Sequence, residues 1–280
     1  MASSTIFRKN RLFAKYGHEC DLANELDPLP AFVSGNSIWA RFRRAVKRAR
    51  MVSEISKHSN NFFRSQGAIA SEKYRHLRQY PSIIHPFSDA RRWWEFFVCW
   101  VFLMQFFLIP LDVAYFRIPN LIFFRRKAWK WTRMTLDCLC LIDVCINFAT
   151  GYYNRQKKQA ILSPPRIAGH YITTYFVPDL LSSLPTHVDL FIEIPFNSSV
   201  FMSLQILSML KMLRFVTFIR YYTDFLEQTL DISYAAYKIS LVVITSLIYY
   251  HLVTCMLIFT YAFNMGYFKG VVNYDPDSTV

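Results

Sequence analysis

Lys211, Arg214, Thr217 and Arg220 stand at every third position of one apolar stretch, Ser203 to Tyr222, with Leu, Met, Phe, Val and Ile between them. A charge at the centre of a bilayer costs about 2.5 to 3.5 kcal/mol on insertion scales, so three cations here need partners that offset their desolvation. Candidate countercharges lie in other apolar stretches: Asp137 and Asp143 in one, Asp179 in a second, and Glu95 near the start of a third. A spacing of three advances about 300° around an α-helix and traces a slowly turning stripe; on a 3₁₀-helix the same positions stack in line. The chemistry this suits is charge displacement, in which cations exchange carboxylate partners along a ridge. Each charge crossing the whole field contributes about 2.3 kcal/mol per 100 mV, so three give at most about 7 kcal/mol. Two plainer readings compete: static ion pairs that fix helix packing, and snorkelling from a helix end, strongest for Arg220.

These residues must be carried by membrane helices. Of 280 residues 53% are hydrophobic and 18% aromatic, and five stretches are long enough to cross about 30 Å of hydrocarbon. They run from Trp93 to Phe116, Met134 to Tyr153, Tyr171 to Ile192, Phe201 to Tyr222 and Ala235 to Phe263. The acidic amphipathic stretch Thr223 to Lys238 is expected to be a short interfacial helix joining the last two. The fold class is an all-α membrane protein: a four-helix bundle over 93–222, a linker over 223–234, a fifth helix over 235–264 and a following stretch over 265–280.

The charge is as uneven as the hydropathy. Residues 1–92 hold 17 Lys or Arg against 7 Asp or Glu, most of the net charge of +13. In front of membrane spans, such a block points to an anionic leaflet rather than to nucleic acid. Its densest run, Trp39 to Met51, suits a basic helix with Trp39, Phe42 and Val46 on one side, against the plainer reading of a solvated tail helix. Basic residues before the first span, Lys73, Arg75, Arg78, Arg91 and Arg92, favour a cytoplasmic N-terminus. The acidic loop around Asp189 and Glu193 then lies outside, together with the glycosylation sequon at Asn197. The stretch Ser71 to Pro86 reads as a short helix ending before Pro81.

Six cysteines, Cys20, Cys99, Cys138, Cys140, Cys145 and Cys255, form no CxxC pair and read as reduced packing residues. No metal-ligand cluster, nucleophile motif or glycine-rich phosphate loop stands in the sequence, which argues against an enzyme. His251, on an apolar helix, reads as a packed, hydrogen-bonded residue, and Asp112, after Pro110, as a helix-end polar residue.

Motifs in order along the chain add a resemblance. "FFRSQGAIASEK" followed by "IIHPFSDARRWWE", then "DCLCLIDVCINFATGYY", "YFVPDLLSSLP", "MLRFVTFIRYY" and "YHLVTC" resemble hyperpolarization-activated, cyclic-nucleotide-gated cation channels over about Asn61 to Phe263. The resemblance implies a voltage sensor with Asp179 as a countercharge and a first pore helix. It also implies a pre-membrane segment over 61–92, in which Phe62, Phe63 and Ile69 couple the sensor to cytoplasmic parts; a local hydrophobic cluster is the plainer role for those three. Residues 1–60, a basic tail, fall outside it. Ala149 stands where the family usually has Arg, Thr217 replaces an expected Arg, and Met202 and Gln205 occupy an outer half that is richer in cations in the family. No filter signature occurs, and "FKGVVNYDPDSTV" follows the fifth span closely. The expectation is a sensor and half a pore wall from a homo- or heterotetrameric potassium and sodium channel of the plasma membrane. No cofactor is expected here, and a cyclic nucleotide only in a full-length parent. The alternatives are a non-conducting regulatory subunit and a stand-alone proton-conducting sensor.

Overall fold

A computed structural model describes residues 29–54, 59, 62–63, 65–115, 127–154, 159–186, 200, 203–204, 207–229 and 233–264. Asn197, residues 1–28 of the basic tail and the stretch 265–280 lie outside the described residues.

The pre-membrane part holds α1 (Leu29–Phe32), α2 (Ile38–Arg50) and α3 (Gln66–Gln79). Ser37 and Ser65 cap α2 and α3, each hydroxyl accepting a backbone N–H at 3.2 Å, which satisfies a donor that the first turn leaves open. α3 stops at Tyr80, as Pro81 requires.

Two long apolar helices follow the expected spans: α4 (Asp89–Tyr115) and α9 (Tyr234–Asn264), the helices long and apolar enough to cross a membrane among the described residues. Between them, α5 (Lys127–Phe148) begins seven residues before the expected start. The third span is a run of helix from Pro164: α6 (Pro164–Tyr171), a π-helical turn at Ile172–Phe176 and α7 (Val177–Ser183). The charged stripe opens as a 3₁₀-helix, Ser208–Arg214, and continues as α8 (Phe215–Thr229). The expected separate interfacial helix is therefore corrected: helix continues through Tyr222 to Thr229, because no Pro or Gly interrupts Phe215 to Thr229.

Among the described residues, one hairpin interrupts the helices. Strands β1 (Tyr152–Asn154) and β2 (Gln159–Ile161) form an antiparallel hairpin after α5, with Tyr153 opposite Ala160. Gly151 sits where the backbones close up, since a Cβ there would meet the Ile161 carbonyl at 2.9 Å and Leu162 at 2.6 Å. The pre-membrane segment docks on this hairpin. The Ile84 amide donates to the Ala149 carbonyl at 2.8 Å, the Gly151 amide returns to the Ile84 carbonyl at 2.9 Å, and Arg75 donates to the Ala160 carbonyl at 3.0 Å.

The core lies between α4, α5 and α8, where Val98, Phe102, Phe106, Cys140, Phe218 and Tyr221 pack together, with Ile248 of α9 against them. α9 touches α4 along its length but leaves Val242, Leu247, Tyr250 and Leu257 exposed. A ridge this apolar suits lipid or another helix rather than water.

A candidate charge-transfer path through the helix bundle

The 3₁₀ geometry explains the site. With three residues per turn, Lys211 and Arg214 stack on one side of the helix, and both are buried. The side chains form three layers along the bundle.

In the first layer, the Lys211 ammonium donates to the Asp137 carboxylate and, at 2.9 Å, to Thr186 Oγ1. Gln105 Nε2 donates to the other Asp137 oxygen at 3.1 Å. Thus α4, α5, the residues after α7 and the 3₁₀-helix all meet at one ion pair. Arg133 lies one turn before Asp137, is buried and interacts electrostatically with Asp137 and Asp112. Its three guanidinium nitrogens lack hydrogen-bond partners among the described residues. Asp112, in the last turn of α4, is fully buried and accepts from Trp129 Nε1 at 2.9 Å, so this helix-end residue ties α4 to α5.

In the second layer, Arg214 reaches five groups. It donates to Ser182 Oγ at 2.9 Å, to Ser183 Oγ, to the Cys140 carbonyl at 3.0 Å and to the Asp179 carbonyl at 3.1 Å, and faces the Asp143 carboxylate at 3.6 Å. The Phe102 ring lies 5.0 Å from its guanidinium carbon. Asp179 turns its carboxylate elsewhere, accepting from Thr217 Oγ1 at 2.7 Å and from the Tyr171 hydroxyl at 2.8 Å. The third position of the stripe therefore binds a carboxylate with no charge of its own.

The third layer was only partly expected. Arg91 donates to Glu95 at 2.6 Å and to Asn147 Oδ1 at 2.9 Å, while Asn147 Nδ2 donates to the Tyr221 hydroxyl at 2.8 Å. Glu95 thus pairs with a cation of its own helix at i,i+4, and it also interacts electrostatically with Arg220 of the stripe. Arg220 lies over the Tyr175 ring, its guanidinium carbon 4.5 Å from the centroid, and 5.1 Å from Tyr221. Arg91, Glu95, Arg220, Asp224, His170 and Tyr175 line a cavity of about 410 Å³ beside the pre-membrane segment.

Phe62 and Phe63 pack on each other with ring centroids 4.7 Å apart. Phe62 packs on Tyr153 of β1, with centroids 4.6 Å apart, and on Phe87 at 5.8 Å. Ile69 is buried in α3. His251 Nε2 meets the Phe107 carbonyl at 2.9 Å, in the packed role expected of it. The five described cysteines are free thiols: Cys99, Cys140 and Cys255 are buried, whereas Cys138 and Cys145 face outward.

A pair of histidines holds the pre-membrane segment. His76 Nε2 meets the Ile83 carbonyl at 2.8 Å, and His85 Nδ1 accepts the Phe87 amide at 3.1 Å, with Glu72 at 3.5 Å from its other nitrogen. Burial pushes His76 down to about 4 against the opposing pull of its Ile83 hydrogen bond. Burial also lowers His85, with Glu72 opposing. Groups lowered in the folded state stabilise it fully above their unfolded value of about 6.5, and that contribution is lost as pH falls from there toward 4. Amide exchange at Ile84 and Gly151, corrected for intrinsic rates, should therefore accelerate between about pH 6.5 and 5. Unchanged protection over that range would remove the histidines from the docking.

Together these features define a polytopic helical membrane protein with cations and carboxylates paired inside its bundle. Residues 91–279 match the family model described as "Ion transport protein", and the chain belongs to that family: it is a helical membrane protein, with one hairpin among the described residues. It is 30% identical over 148 residues to the potassium/sodium hyperpolarization-activated cyclic nucleotide-gated channel 4 of Rattus norvegicus, covering 52% of this chain and 12% of that one. Channel 2 of Mus musculus is 30% identical with 52% and 17% covered, and channel 1 of Homo sapiens is 29% identical with 52% and 16% covered. The chain thus spans less than a fifth of the length of these relatives.

Proposed function

We propose that residues 61–264 are the voltage-sensing module and first pore helix of a hyperpolarization-activated, cyclic-nucleotide-gated type of potassium and sodium channel subunit. α4, α5, α6 with α7, and the 3₁₀-helix with α8 are its four sensor helices, α9 is the pore helix, and residues 61–88 are the coupling segment. The observation that carries this reading is the 3₁₀ segment, in which Lys211 and Arg214 each hold partners on two or more other elements. A shift of three residues along that helix would bring Arg214 to the height of Asp137, exchanging one buried partner set for another. Such exchange keeps a cation solvated by protein at every step. Glu95 serves the ridge twice, by neutralising Arg91 and by interacting with Arg220 in the cavity that all three line.

In this reading the N-terminus is cytoplasmic, because the basic pre-membrane block precedes α4; the membrane is the plasma membrane and the assembly a tetramer. A cyclic nucleotide would act through other parts of a full-length subunit.

The test is a hybrid in which residues 61–264 replace the matching region of a hyperpolarization-activated channel. Opening steered by membrane voltage is expected. Currents that reach the surface yet ignore voltage would sink the reading.

A further inference from the structure

Helix α2 is amphipathic, and it is turned the unusual way. At 100° per residue, Ile38, Trp39, Phe42, Ala45 and Val46 share one face, while Ala40, Arg44 and Lys47 share the opposite one. The side turned toward the protein is the polar one: Ala40 is buried and Arg44 and Lys47 are half-buried. The apolar face points away, with Ile38 85%, Trp39 71% and Phe42 60% exposed, the latter two rings edge to face. Every charged residue of α2 is basic. Arg41 and Arg48 border one edge of the apolar face, and Arg43 and Arg50 the other.

The position of the helix says what covers that face. Its C-terminal end is tied to the residues just before α4: the Arg50 carbonyl accepts the His85 amide at 3.0 Å, Val52 bridges Ser88, and the Ser53 amide donates to the Phe87 carbonyl at 2.9 Å. α2 also touches α4 itself, whose first turns expose Trp93. Indole rings at a helix end mark the headgroup level of a bilayer. The apolar face of α2 is therefore held beside the point where α4 enters the membrane, with arginines along both edges where headgroup phosphates would lie.

We propose that α2 is an in-plane membrane anchor, its Ile38, Trp39, Phe42 and Val46 inserted among the acyl chains of an anionic leaflet and its edge arginines set on the headgroups. A helix with one apolar face and a basic remainder binds such an interface through buried apolar area together with attraction to anionic lipid. The inference rests on the membrane placement of α4 given above and deepens the reading of the basic block as a leaflet-facing region. Its consequence is mechanical. Through the Arg50, Val52 and Ser53 contacts, α2 fixes the height of the residues that dock on the β1–β2 hairpin.

The test uses the full 280-residue chain reconstituted in vesicles of phosphatidylcholine and phosphatidylserine with brominated acyl chains. A fluorescent amino acid replaces Phe42, or Gln79 as an exposed comparison site on α3. The expected result is severalfold stronger quenching at position 42 than at position 79, with blue-shifted emission. Arg41→Gln, Arg43→Gln and Arg48→Gln should each lower the ratio of docked to undocked helix about fivefold. Quenching at position 42 no stronger than at 79 overturns the proposal, and a blue shift without quenching overturns it in favour of a protein partner. The measurement needs neither voltage nor conduction, so its failure is distinct from failure of the channel reading in the hybrid.

Discussion

Asp137→Asn lowers the stability of the bundle by about 3 to 5 kcal/mol, because it leaves a buried ammonium without its counterion. Lys211 and Asp137 are each 1% exposed, so water cannot take over the lost interaction. Asparagine keeps the acceptor that Gln105 uses and Lys211 keeps Thr186, so what is removed is the charge together with the oxygen that accepted from Lys211. Arg133 sharpens the effect: once Asp137 is neutral, two buried cations interact with no carboxylate between them. Lys211→Met combined with Asp137→Leu should recover part of the loss, since two apolar groups of similar volume remove the unpaired ammonium while Arg133 keeps its interaction with Asp112. Thermal unfolding of the detergent-purified variants, followed by tryptophan fluorescence, measures both. If Asp137→Asn unfolds with the unaltered chain, Lys211 is solvated by something other than this pair.

How much of this was legible follows from where each signal lies. The triplet spacing of Lys211, Arg214, Thr217 and Arg220 already contains the 3₁₀ option, and the structure uses it over Ser208–Arg214 before relaxing to α-helix. Asp137, Asp143 and Asp179 were readable as partners because carboxylates inside apolar runs have few other uses. Their division of labour was not, since it depends on which elements face one another. Asp143 faces Arg214, whereas the Asp179 carboxylate takes hydroxyls and leaves Arg214 its backbone carbonyl.

The Arg91 to Glu95 pair was available in the sequence as an i,i+4 spacing, but counting countercharges for the stripe alone passed over a cation in the same helix. Arg133 fell outside the expected second span because hydropathy places a boundary where charges begin, while its burial is settled by packing. The early start of the third helix had a signal too: Ser163 followed by two prolines is a helix-opening pattern, the ring fixing φ where no amide partner is needed. The docking of the pre-membrane segment beside the hairpin rests on long-range pairing of Ile84 with Ala149 and Gly151, and no local pattern announces that.

In the hybrid channel, Arg214→Gln flattens the dependence of opening on voltage, and Arg214→Lys does not. A charge that crosses the whole field contributes about 2.3 kcal/mol per 100 mV in each sensor, hence about 9 kcal/mol across four subunits, with partial crossing giving a proportionate share. Glutamine removes that contribution while keeping a hydrogen-bonding side chain for Ser182 and Ser183. Lysine keeps the charge but replaces a planar fork with a point donor, so it cannot reach Ser182, Ser183 and the carbonyls of Cys140 and Asp179 together. It should therefore move the midpoint voltage, by weakening one of two partner sets, and leave the slope near its starting value. The pair of variants separates charge movement from packing, which a single neutralisation does not. Were both to shift the midpoint equally with the slope intact, Arg214 would be a fixed strut between α5, α7 and the 3₁₀-helix, and displacement would fall to Lys211 and Arg220 alone.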